Sequence, residues 1–133
     1  MENDGLVGYT NSCKVSTNAV TISGRGTLGF ACIRTEPFVP IVRLIVAIPK
    51  EDSVNLKFFK YAVGSLDFQN TGGTIPQLTV PNFEKYTIPV PSLSKQQQVV
   101  SQIEVYEQQI AEAKKVIAEA PEKKKAILKK YLE

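Results

Sequence analysis

The sequence predicts an α+β chain. A small mixed or antiparallel sheet domain with one packing helix occupies residues 1–93, and a long C-terminal helix of coiled-coil type follows over 94–133. Three observations predict this. β-branched and apolar runs at 19–22, 27–34 and 41–48 are separated by Gly- and Pro-rich breakers. One apolar pattern of helical spacing lies at 56–66. From Lys95 to Ala120, KQQQVVSQIEVYEQQIAEAKKVIAEA, the apolar positions Val99, Ile103, Tyr106, Ile110, Ala113, Ile117 and Ala120 alternate in steps of four and three. That is an unbroken heptad seam.

Taken in order, residues 1–19 show no clear period. Ala19-Val20-Thr21-Ile22 is a short strand stopped by Ser23-Gly24-Arg25-Gly26, and Thr27 to Arg34 resumes as its hairpin partner. Pro37 and Pro40 bound a loop. Ile41 to Ile48, IVRLIVAI, is apolar enough for a buried strand, and Pro49-Lys50-Glu51-Asp52-Ser53 ends it. Val54-Asn55 leads a helix from Leu56 to Leu66, with Leu56, Phe59, Val63 and Leu66 on one face and Gly64 awkwardly inside. Asp67 to Pro76 is a polar loop. Tyr86 to Pro91 has proline at alternate positions, which suits an edge strand or an extended connector. Ser92-Leu93-Ser94 caps the long helix, and Ser94 to Gln97 fits a Ser-x-x-Gln capping box. Pro121 predicts a kink or a fresh short helix, because proline is tolerated in a first turn and breaks an interior.

The stretch 95–120 would be about 39 Å long as a helix. A compact domain of about 100 residues has a radius of gyration of only about 13 Å. A narrow two-in-seven stripe calls for another helix, since a surface helix covering its own core carries a wider apolar face. The seam therefore predicts an arm that pairs through Val99, Ile103, Tyr106, Ile110, Ala113 and Ile117. An amphipathic helix folded back on its own domain is the competing reading.

Composition narrows the chemistry. The net charge of +3 is mild, and the lysines at 123–125 and 129–130 suit a solvated helix end, where cations also complement the macrodipole. No run approaches the length of a membrane span. The start, MENDGLVGYT, lacks the basic and apolar regions of a signal peptide. Cys13 and Cys32 match no metal spacing and are most simply reduced thiols of a cytoplasmic protein. There is no histidine, hence neither the commonest general base nor the commonest metal ligand. SGRGTLG and NTGGTIP lack the Gly-Lys-Ser/Thr ending of a P-loop and the GxGxxG of a dinucleotide fold. No catalytic residue, metal or cofactor is predicted.

The same two loops carry the residue types of a nucleic-acid contact. Gly26, Gly72 and Gly73 let backbone N–H groups approach a phosphate, and Arg25, Thr27, Asn70, Thr71, Thr74 and Gln77 supply side-chain donors for phosphates and base edges. Glycine in a hairpin turn also has a purely conformational explanation.

The segment Ile75 to Ile103, IPQLTVPNFEKYTIPVPSLSKQQQVVSQI, resembles a junction in the specificity (S) subunits of type I restriction–modification systems. There a target-recognition domain meets a conserved helix through a Gly-rich loop, an ip-x-L(S/T) step, an i-P-x-P segment and a Gln-containing helix start. The matching residues are Gly72-Gly73-Thr74, Ile75 to Thr79, Ile88 to Leu93, and Gln96 with Gln97; the family usually has Glu where Lys95 stands. Thr21 to Gly29 and Val54 to Phe59 resemble the family's strand–Gly-loop–strand segment and Asn-x-x-Phe helix start. The resemblance implies a target-recognition-like domain over 1–93, double-stranded DNA as ligand, and separate methyltransferase and restriction subunits as partners. It implies pairing with a second copy or another S-type chain through the helix, and a non-catalytic role. A full subunit has two recognition domains and two conserved helices, so this length matches a half-subunit or fragment. The alternative is a helix-mediated dimerisation or scaffold protein that no longer reads DNA.

Overall fold

The computed structural model describes residues 8–24, 29–41, 43–68 and 77–132. Three strands, β1 (Ala19–Ser23), β2 (Ala31–Arg34) and β3 (Leu44–Ala47), form an antiparallel sheet in the order β2-β1-β3. β1 pairs with β2 in the register Val20↔Ile33 and Ile22↔Ala31, and with β3 in the register Val20↔Ala47 and Ile22↔Ile45. Side chains alternate across a strand, so Val20, Ile22, Ala31, Ile33, Ile45 and Ala47 share one face. All six belong to the hydrophobic core. β1 is buried on both faces, because Ala19 and Thr21 are covered too. The Thr21 hydroxyl is accommodated by donating to the Cys32 carbonyl (3.4 Å) and accepting from Arg34 Nε (3.2 Å). Cys13 is exposed, Cys32 is buried, and both are free thiols.

The two flanking strands are shorter than the apolar runs suggest. Gly29 has φ 78°. Its N–H donates to the Ser23 carbonyl while the Ser23 N–H donates to Phe30, both at 3.0 Å. Gly29 and Phe30 thus oppose Ser23 together, as a bulge with glycine at the left-handed position, and β2 starts after it. β3 starts only at Leu44, because Arg43 has φ 67° and the Leu44 N–H closes a turn onto the Ile41 carbonyl at 3.2 Å.

The helix expected from 56 forms as α1 (Leu56–Gly64) and packs on β1 and β2. Asn55 is its N-cap, accepting from the Phe58 N–H at 3.0 Å. Gly64 is its last residue, so the glycine ends the helix instead of weakening its interior. Ser65 closes it with its N–H on Tyr61 (3.0 Å) and its hydroxyl on Ala62 (2.7 Å). A one-turn helix, α2 (Val80–Phe83), escaped the sequence reading. It brings Phe83 to the core beside Phe68, whose ring also meets Tyr86 edge-on at 4.9 Å. Tyr86 to Pro91 joins no ladder and is a connector, since Pro89 and Pro91 have no N–H to donate.

The last element, α3 (Leu93–Leu132), has 40 residues and a length of about 60 Å. Its cap lies two residues earlier than the capping-box pattern suggests. Ser92 Oγ accepts from the Lys95 N–H (3.3 Å), and the Ser92 carbonyl accepts from the Gln96 N–H (2.9 Å). No fresh helix begins at Pro121; α3 continues through it. Proline removes the bond to the carbonyl four residues back. That carbonyl belongs to Ile117, which is 71% exposed, so water can serve it. The flanking Ala, Glu and Lys are good helix formers, and the Glu119–Lys123 pair at 3.5 Å spans the site.

The chain divides into two units, 1–97 and 98–133. The first turn of α3 falls in the first unit, and one side chain explains why. Gln96 is fully buried. Its Oε1 accepts from the Asn55 N–H at 2.7 Å, and its Nε2 donates to the carbonyls of Ser53 and Pro91, each at 2.8 Å. Replacing it strands one donor and two acceptors. Gln96→Leu is expected to destabilise the chain by about 1–3 kcal/mol, read by denaturant unfolding. The exposed neighbour substitution Gln98→Leu should stay within about 0.5 kcal/mol.

Candidate functional site

The two polar loops identified in the sequence are Ser23–Thr27 and Asn70–Gln77. Arg25, Gly26, Thr27, Asn70, Thr71, Gly72, Gly73 and Thr74 lie outside the described residues. Their stems are described, and they are joined. The Gly24 carbonyl accepts from the Leu78 N–H at 2.9 Å, while the Gly24 N–H donates to the Arg43 carbonyl at 3.0 Å. Gly24 is buried between these partners. A Cβ there would lie 2.6 Å from the Arg43 oxygen and 2.8 Å from the Leu78 oxygen. Only glycine permits this approach of three backbone segments. At the far stem, a Cβ on Gly29 would run into the Phe68 ring. The first loop is thus bounded at both ends by residues that flank the second. Gln77, the one candidate contact residue that is described, is half-buried beside buried Leu78.

The sequence reading missed Arg43. It took IVRLIVAI as a continuous strand, yet the lone charge three residues after Pro40 marks where the run turns. Arg43 is exposed, carries a positive φ, and holds Gly24 through its carbonyl. A left-handed conformation costs a non-glycine residue roughly 1–2 kcal/mol. The hydrogen bonds to Gly24 and within the 41–44 turn hold it in place.

The candidate interface residues on α3 grade from half-buried to exposed. Val99 and Ile103 are half-buried; Tyr106 is 67%, Ile110 48% and Ile117 71% exposed, and Ala113 is exposed as well. Among the described residues no group of His, Cys, Asp and Glu could hold a metal ion, and no helix is long and apolar enough to cross a membrane.

Comparison with known proteins places this arrangement in a family context. Residues 1–122 match the type I restriction modification DNA specificity domain. Relatives named as type I specificity subunits occur in Mycoplasma pneumoniae (strain ATCC 29342 / M129). One is 33% identical over 101 residues, which are 76% of this chain and 28% of the relative. A second, named as the C-terminus of such a subunit, is 36% identical over 93 residues, 70% of this chain and 63% of the relative. A third is 36% identical over 93 residues, covering 28% of its length. The chain therefore spans between about a quarter and two thirds of these relatives.

The crowding at Gly24 is testable in the free chain. Gly24→Ala should cost about 1–3 kcal/mol of stability, because backbone oxygens must move to admit the methyl group. Gly8→Ala, where nothing lies within 4 Å of the added carbon, should leave the denaturation midpoint unchanged.

Proposed function

The chain belongs to the family of type I restriction–modification DNA specificity domains, and from that premise we propose that it is a DNA-recognition module of such a system. In this reading the loops 23–27 and 70–77 face duplex DNA, with Arg25, Thr27, Thr71, Thr74 and Gln77 as side-chain donors and Gly26, Gly72 and Gly73 exposing backbone N–H groups. The observation that supports it best is the tie between the loop stems. The Gly24–Leu78 hydrogen bond of 2.9 Å and the Gly29–Phe68 contact join the described stems of the two polar, glycine-rich segments. Loops that spring from joined stems can present several donors to one stretch of duplex. Methyl transfer and cleavage belong to separate subunits, which the module directs to its site, and the setting is cytoplasmic.

Arg25 and Gln77 test the reading. In the assembled complex, Arg25→Ala should weaken duplex binding by about 1–3 kcal/mol and relax one target position if it reads a base. If it holds a phosphate, binding should weaken alike on all sequences and the salt slope should fall by about one. Unchanged affinity and salt slope for Arg25→Ala combined with Gln77→Ala would assign the protein to the scaffold class instead.

The exposed stripe of α3 supports pairing with a second copy or with another specificity-type helix. Each isoleucine buried at such a seam contributes roughly 1.5–3 kcal/mol. The double variant Ile103→Asp, Ile110→Asp should sediment as a monomer where the unaltered chain does not. A wild-type chain that stays monomeric at high concentration, and that captures no helix of another specificity chain, would remove the pairing role.

A further inference from the structure

Arg43 stands where three backbone segments meet. Its carbonyl accepts from the Gly24 N–H at 3.0 Å, and the Gly24 carbonyl accepts from Leu78 at 2.9 Å. The base of both candidate loops therefore includes the 41–44 turn, a third segment 18 to 19 residues further along the chain than Gly24 and Arg25. At the apex of that turn the chain places an exposed arginine in a left-handed conformation, φ 67°. Glycine or asparagine would adopt that backbone more easily. Strain of this kind, retained at a functional cluster, points to use of the side chain.

We propose that Arg43 is a third contact to the duplex and that it holds a backbone phosphate. The inference rests on the DNA-recognition reading of the two loops. Arg43 sits at their stem and not at a loop tip, a position suited to the flank of a duplex engaged by the tips. A guanidinium can donate two parallel hydrogen bonds to phosphate oxygens. Such a contact fixes orientation and register without reading sequence. It adds a cation at the base of the two loops, on a domain whose net charge would otherwise attract DNA weakly.

The test uses Arg43→Gly, which removes the guanidinium while relieving the backbone, so the fold should be retained or gain stability. Duplex binding by the chain assembled with its methyltransferase partner is measured across a salt series, with wild type, Arg25→Ala and Arg43→Lys alongside. For Arg43→Gly the expected result is an unchanged or higher Tm, about tenfold weaker binding on target and non-target duplexes alike, and a salt slope smaller by about one. Arg43→Lys should restore much of the slope, because it keeps the charge. If the wild type and Arg25→Ala differ while Arg43→Gly binds like wild type, the Arg43 contact is wrong and the loop reading stands. If Arg43→Gly relaxes one base position with the slope unchanged, the phosphate assignment is wrong. If the wild-type assembly does not bind duplex at low salt, the loop reading falls and this inference falls with it.

Discussion

The buried amide of Gln96 is the constraint on which much of the first unit depends. It lies in a region where an unpaired polar group would be expensive, and it has paired every group it brings. One oxygen takes the N–H of Asn55, and one NH2 serves the carbonyls of Ser53 and Pro91. Asn55 in turn caps α1, and α1 covers β1 and β2. A single side chain therefore couples the start of α3, the connector that precedes it, and the cap of the helix that closes the core. Gln97 accepts a longer hydrogen bond of 3.4 Å from Asn55 Nδ2. The two neighbouring glutamines are alike in sequence and different in weight, because one turns inward and its neighbour is exposed.

A second constraint acts on the loops. A three-stranded sheet leaves little buried area to hold long polar segments. Here their described stems are joined by backbone bonds at Gly24 and by the close approach of Phe68 to Gly29. Gly24 and Gly29 are both glycine in one hairpin, for different reasons. Gly29 needs its positive φ and also clears the Phe68 ring; Gly24 has no such φ and is there because two carbonyl oxygens crowd its α-carbon. The turn chemistry that makes glycine common in hairpins accounts for the first and says nothing of the second.

The long helix shows local and nonlocal effects in another balance. Its exposed face keeps the four-and-three seam, and the unbroken passage through Pro121 extends that spacing from Ala120 to Lys124, Ile127 and Tyr131. A proline inside a solvated helix is tolerable because the carbonyl it leaves unpaired can bond to water, whereas a buried one could not.

Sequence alone determined what depends on neighbours along the chain. The three strands, the helix capped by Asn55, the hairpin around the Gly-rich turn and the heptad of α3 were legible, since periodicity and capping are local properties. So was the family-like junction. Tertiary structure decided the rest. It shortened β3 by placing Arg43 at positive φ, selected Ser92 over Ser94 as the α3 cap, formed α2 around Phe83, and brought Gly24, Arg43 and Leu78 to one point. It also gave Gln96 its role, which 41 residues of separation from Asn55 conceal from any window of sequence. Residues far apart in the chain set these features through packing and hydrogen bonds, and no local pattern records where those partners will come from.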